Sequence, residues 1–294
     1  MGGWVALILF VVLFGLPGTV ASLMSVQARV PQQAQIAFHS NQASVLEPPE
    51  GVLVLREGGY ALAEYADVFD GFGKEGCTVE LWFYLTDVPS DWKEIWVLID
   101  KPHSYFIHIT GREPVEFRLD PQVVGYIKYM VYCNNGGAAG SRVWLSPENF
   151  SLNRWFHFAY QIRGTGPIQR AAFFDGKSMG TGSSDSAGGF LASSDPLFIG
   201  GREGHKSIKG WIDEIRISRG WRYTPMQPIN PPREFDTDQH TLALWHFDEG
   251  PWAPHYADAS GDGYTLFSVG LTPVEAEQAG KLAAMWGRLK TNRN

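Results

Sequence analysis

The sequence predicts an all-β protein, a sandwich of antiparallel sheets. Short runs of alternating or unbroken apolar residues recur along the chain, each closed by turn residues, as strands of such a sandwich require. Aromatic residues make up 14% and glycine occupies 33 positions, a balance that suits strands and tight turns better than a helical bundle. Helical periodicity is confined to the C-terminal tail. A length of 294 residues fits one large sandwich with tails, and 44% hydrophobic content is ample for its core.

The elements follow in order. Val5 to Leu16 is an apolar run broken by Pro17-Gly18, with Thr19-Val20-Ala21 offering small residues before Ser22. Residues 1–21 therefore read as a secretory signal peptide. The run is too short to span a membrane, and the alternative is an uncleaved N-terminal anchor. Either way the body of the protein lies outside the cytoplasm, and no span is expected in the mature chain. Residues 22–51 are polar, contain Gln, Ala and Pro without periodicity, and read as a leader or linker.

Residues 52–270 should hold the sandwich. Val52 to Leu55 is a first short strand. In Cys77 to Leu85 the set Val79, Leu81, Phe83 and Leu85 points one way, into the core. Glu80, Trp82 and Tyr84 point the other way, outward or into a groove. Glu94 to Asp100 and Ser104 to Thr110 are neighbours joined through Lys101-Pro-His, and Val115 to Leu119 and Val124 to Cys133 are further strands. Arg154 to Arg163 and Ile168 to Phe174 form a pair, and Asp175-Gly176 marks a tight hairpin, because its primed turn needs positive φ. Thr181 to Ser194 reads as a Gly/Ser loop. Pro196 to Ile199 and Ile208 to Ser218 are strands, Pro225 to Pro232 is a connector, and Thr241 to Phe247 and Tyr264 to Val269 are the last strands. In the tail, 271–294, Thr272-Pro-Val-Glu is a capping box, and Leu282, Met285, Trp286 and Leu289 share one face of a short helix.

Several of these segments share their wording with a known family. Cys77-Thr-Val-Glu-Leu-Trp-Phe, Trp155-Phe-His-Phe-Ala, Phe174-Asp-Gly-Lys, Leu197-Phe-Ile-Gly-Gly and Ile212-Asp-Glu-Ile-Arg-Ile occur in that order. The chain resembles the laminin-G-like branch of the concanavalin A-like lectin/glucanase superfamily over roughly Val52 to Val269. The resemblance implies a jelly roll of two curved antiparallel sheets. It names a fold better than a function, because function sits in a site grafted onto the fold. One departure is that Leu242-Ala-Leu-Trp-His-Phe-Asp-Glu-Gly, with Asp258-Ala-Ser-Gly, resembles the segment that usually opens such a domain, yet here comes last. Either the C-terminal strands complete the sandwich or they begin a truncated second copy. Completion is favoured, because about thirty residues cannot bury a core alone.

The chemistry is then bounded by residue type. A net charge of −7 lacks the electrostatic footprint for nucleic acid. Asp213 and Asp258, beside Gly-rich turns, suggest a structural calcium, which relatives often carry near matching positions; the alternative is that Asp258 and Ser260 form side-chain turns to the backbone. His157 reads as a structural residue bonded to a polar neighbour rather than a catalytic base. Glycoside hydrolysis needs two carboxylates across a cleft about 5–9 Å apart. The superfamily's retaining glucanases carry Glu-x-Asp-x-x-Glu on one strand, and this chain does not. Glu80 stands alone, and the adjacent Asp213 and Glu214 should point to opposite faces.

Trp82, Tyr84, Tyr126, Lys128 and Tyr132 could form an aromatic platform for sugars, with Trp92, Trp221 and Trp252 in loops. Cys77 and Cys133 form one disulfide or remain two buried thiols, and Asn149-Phe-Ser is a glycosylation sequon if the host is eukaryotic. The expected function is secreted, non-catalytic recognition of a polysaccharide or an extracellular protein. The alternatives are a glycoside hydrolase of the same fold and a structural cell-surface or matrix module.

Overall fold

The computed structural model describes residues 47–70, 75–91, 93–111, 125–131, 143–145, 151–164, 168–184 and 193–273, and among these described residues the chain forms sixteen strands. At 125–131, 143–145, 168 and 184 the description is of the backbone. Contacts group residues 48–294 as one unit. Two antiparallel sheets pack as a jelly-roll sandwich. The first runs in the order β1 (Leu53–Leu55), β13 (Gly210–Arg219), β3 (Cys77–Leu85), β8 (Trp155–Arg163), β9 (Ile168–Phe174) and β10 (Lys177–Ser184), with β14 (Thr241–Trp245) also beside β13. The second runs β15 (His255–Tyr256), β16 (Leu266–Val269), β2 (Tyr60–Ala63), β11 (Leu197–Ile199), β4 (Ile95–Lys101), β5 (Tyr105–Gly111), β6 (Gly125–Val131) and β7 (Val143–Leu145). The two-residue β12 (Lys206–Ser207) lies parallel to β4.

The core lies between the sheets, where inward residues of alternate strands meet. Val79, Leu81 and Phe83 of β3 join Phe156, Phe158 and Tyr160 of β8, Ile212, Ile215 and Ile217 of β13, and Tyr105, Ile107 and Ile109 of β5. Each large apolar side chain buried there contributes roughly 1.5–3 kcal/mol over exposure. The C-terminal strands complete the sandwich rather than starting a second one. β14 pairs with β13 in the first sheet, while β16 pairs with β2 in the second. Trp245, Phe247, Tyr256 and Leu266 bring apolar side chains into the same core.

The hairpin between β9 and β10 turns at Asp175 (φ 48°) and Gly176 (φ 75°), as the sequence predicts. Gly176 is also needed sterically, because a Cβ there would stand 2.2 Å from the Ile229 carbonyl oxygen. The expected Gly/Ser loop from Thr181 is corrected at its start. Residues 181–184 continue β10, paired to β9 beyond a register shift between Ser178 and Thr181. Backbone pairing holds a stretch whose side chains have little strand preference. The expected strand at 115–119, the loop from 185 to 192 and the C-terminal helix lie outside the described residues.

Candidate functional site

The face of the first sheet turned away from the core carries most of the polar and aromatic side chains singled out by alternation. Cross-strand register arranges them in rows. Val54, Trp211, Tyr84 and Trp155 form one row across β1, β13, β3 and β8. Asp213, Trp82 and His157 form the next, and Arg216, Glu80, Ala159 and Phe173 the one after. Directly opposed side chains on one face of a sheet lie close enough to interact, so each row acts as a unit.

The middle of this face is sealed. After β13 the chain returns over it, and Gly220, Tyr223, Pro232, Phe235 and Asp236 are bonded to side chains below. The Thr78 hydroxyl donates to the Gly220 carbonyl (2.7 Å), Gln161 and Tyr223 exchange two bonds (2.7 and 2.9 Å), and Arg216 donates to the Asp236 carbonyl (2.8 Å). Beneath lies Glu80, 0% exposed. Its Oε1 accepts from Arg216 (2.9 Å), and its Oε2 accepts from the Tyr223 hydroxyl (2.5 Å) and faces His157 Nε2 (3.3 Å). Burial alone would raise the carboxyl's pKa. The bonds from His157 and Tyr223 and the Arg216 charge outweigh it and hold Glu80 below the usual carboxylate range. His157 is itself fully enclosed, with Glu80 as its polar neighbour. Glu80 is fully enclosed, with both of its oxygens engaged by these partners.

A β-bulge corrects the reading of Asp213 and Glu214. Between them and Ile215 the register with β3 shifts, and Glu214 takes φ 54°. The extra residue lets Ile212 and Ile215 both stay in the core, and both acids turn to the outer side. There Asp213 pairs with Arg233 (2.6 Å), while Glu214 accepts from the Phe235 amide (2.8 Å) and meets His246 Nδ1 (2.8 Å). Burial pushes the Asp213 carboxyl up to about 6, although Arg233 opposes the shift.

One end of the face is an aromatic patch. Tyr84 stacks on Trp211 (centroids 4.3 Å apart, planes at 26°) and meets Trp155 edge-on (5.7 Å). Val52 and Val54 pack beside them, and Trp252 packs against the cluster. The Arg233 guanidinium lies over Trp155 (4.6 Å) and Trp82 (5.2 Å), held there by Asp213. Trp82 itself donates to the Pro232 carbonyl (3.0 Å). Arg56 lies over Trp252 (5.3 Å) and bonds the Thr272 carbonyl oxygen. Tyr84 and Trp211, 9% and 7% exposed, are the foundation; Trp82, Trp155 and Trp252 keep part of their rings in solvent.

The structure therefore divides the platform read from the sequence. Trp82 belongs to the patch, and Tyr84 supports it from below rather than offering a surface. Tyr126 and Lys128 are in the other sheet, as register partners of Thr110 and His108. They cannot join a surface on the first sheet, because the sandwich core lies between. Tyr132 and Trp92 lie outside the described residues. Sequence reasoning did not assign Trp155, Trp211, Arg233 or Arg56 to the site. The parity of β8 marks Trp155 as outward, since Phe156 and Phe158 are core residues. The arginines arrive from distant segments and leave no such signal.

The calcium pair does not fit. Asp258 Oδ1 accepts from the Leu244 and Ser260 amides and Oδ2 from the Ser260 hydroxyl and the Tyr264 amide, the side-chain turn that was the alternative. Asp213 faces a guanidinium. Among the described residues no three His, Cys, Asp or Glu side chains group closely enough to share a metal. Cys77 is a buried free thiol whose pKa burial raises. Cys133, its expected partner, and Asn149 lie outside the described residues.

Comparison with known proteins adds the family. A model described as the concanavalin A-like lectin/glucanases superfamily (Laminin_G_3) matches residues 57–222. A search of curated proteins finds no match. Among solved structures, a candidate carbohydrate binding protein from Bacteroides ovatus is 16% identical with a TM-score of 0.54, covering 77% of this chain and 60% of that one. This chain thus spans about 60% of that protein's length. Mouse laminin α1 domains LG4-5 are 17% identical with a TM-score of 0.39, covering 64% and 48% of the two chains. A SAP-like pentraxin from Limulus polyphemus is 11% identical with a TM-score of 0.39, covering 57% and 73%.

Proposed function

The chain belongs to the concanavalin A-like lectin/glucanases superfamily, and from that membership we propose that it is a secreted recognition module that binds a glycan on the aromatic patch of its first sheet. The supporting observation is the layered construction of that patch: Trp155 and Trp252 rest partly exposed on a packed base of Tyr84, Trp211, Val52 and Val54, and Trp82 lies partly exposed beneath Arg233 in the next row. A supported ring loses little freedom on binding. Its face covers the apolar C–H surface of a sugar, while hydroxyls need a few directional partners. Arg233 and Asp213 stand beside the rings to supply them. In this reading the patch binds without catalysis, and Asp213 beside its rings is paired with Arg233. Secretion rests on the apolar run from Val5 to Leu16.

A glycan array identifies the ligand, and tryptophan fluorescence titration then measures it. Trp155→Ala and Trp252→Ala should each weaken binding by about tenfold, the effect of losing roughly 1.4 kcal/mol of stacking. Unchanged affinity in both folded variants, or no bound glycan on the array, would refute the proposal.

A further inference from the structure

The outer face of the second sheet carries an apolar strip that glycan binding on the first sheet leaves unused. Cross-strand register sets its rows. Phe267 of β16 stands opposite Leu62 of β2, which stands opposite Phe198 of β11, and Val269 stands opposite Tyr60. The alternate residues Leu266, Ala63 and Leu197 are core, so these five side chains point outward. Tyr60 meets Phe198 edge-on (centroids 5.8 Å apart). Phe267 is 45% exposed, and the other four are half-buried. A contiguous apolar strip on a sheet face is a place for another element to pack.

The described residues end at Pro273, four positions after Val269 of the strip. Leu271 packs into the core, and Arg56 donates to the Thr272 carbonyl and hydroxyl oxygens. Residues 274–294 continue from this point. In their sequence Leu282, Met285, Trp286 and Leu289 fall on one face at helical spacing, behind the capping box at Thr272. A helix from 274 reaches position 282 after about 12 Å and position 289 after about 23 Å. The strands β16, β2 and β11 span about 10 Å, so the apolar face of such a helix can cover the strip. Charge points the same way. Lys281, Arg288, Lys290 and Arg293 outnumber Glu275 and Glu277. Exposed acids border the strip: Glu64 lies two positions after Leu62, and Asp67 and Asp262 both act electrostatically on Tyr264 just before β16. The aromatic patch of the first sheet carries Arg56 and Arg233, of the same sign as the segment.

We propose that the strip is the docking surface for the chain's own C-terminal segment, which packs there as an amphipathic helix. Leu282, Met285, Trp286 and Leu289 lie against Phe267, Leu62 and Phe198. Lys281 and Lys290 flank that apolar face and are directed to the acids beside the strip. The helix covers one face of the sandwich and leaves the outer face of the first sheet to recognition. This docking does not depend on the aromatic patch binding a glycan.

Timed trypsin digestion of the full chain, read by mass spectrometry, tests the docking, because Lys281, Arg288 and Lys290 are cleavage sites within the segment. A docked segment is cut only when it lifts off, at a rate that follows the open population. Phe267→Asp, checked for folding by thermal unfolding, should speed cleavage at these sites by at least about tenfold. Met285→Asp, which leaves the sandwich untouched, should do the same, and Trp155→Ala should leave the rate unchanged. Equal rates in the wild type and both Asp variants would overturn the proposal. A comparable rise in Trp155→Ala would overturn it by placing the segment on the aromatic patch. Protection that weakens on dilution would overturn the assignment to the chain's own segment and give the strip to a second copy.

Discussion

Glu80 is the residue on which the outer face of the first sheet is organised. Its two oxygens gather Arg216, Tyr223 and His157, and those contacts bind the returning segment to the sheet. Truncating it leaves a buried cation and two polar groups without their partner. Glu80→Ala should therefore cost about 3–5 kcal/mol in urea denaturation. A loss below about 1 kcal/mol would show that the network contributes little. Half of this was legible beforehand. Alternation along β3 places Glu80 away from the core and beside Trp82, but it cannot say what covers that face. The cover begins well over a hundred positions later, and no local pattern around Tyr223 or Arg216 announces it. The same holds for Arg233 over Trp155.

At the scale of the element, the bulge in β13 decides which acids are useful. β1 pairs with residues 210–212 and β14 with 215–218 along the strand edge not taken by β3, and the bulge falls between them. Strict alternation misplaced Glu214 because one residue in the left-handed region resets the count. The strands themselves were legible wherever apolar residues alternate, as in β3 and β8, and least so in β10, where backbone pairing replaces side-chain preference. The bulge also sets a pH dependence. Folded Asp213 keeps its proton up to about pH 6, whereas an unfolded carboxyl releases it near 3.9. Between those values the folded state holds the extra proton, so the cost of ionising Asp213 is fully present above pH 6 and is relieved as pH falls. Relative to Asp213→Asn, the wild type should gain stability from pH 7 to pH 4.5 in paired denaturation curves. A constant difference between the two proteins across that range would contradict the burial of this carboxyl.

For the molecule as a whole, the chain closes its sandwich from the C-terminus. β14 and β16 supply one strand to each sheet, so a segment that resembles an opening strand does the same work from the other end. Size arguments alone could reach this, because so short a remnant has no core of its own. Which sheet each outward aromatic belongs to could not be read, since alternation assigns a face and not a sheet; Tyr126 and Trp82 look alike in sequence and sit on opposite layers. The central claim is that recognition occurs on the outer face of the first sheet. A crystal structure with a neutral oligosaccharide taken from the array tests it most directly. The account predicts sugar rings against Trp155 and Trp252 with hydroxyls near Arg233. Sugar bound on the second sheet, with those rings bare, would contradict it.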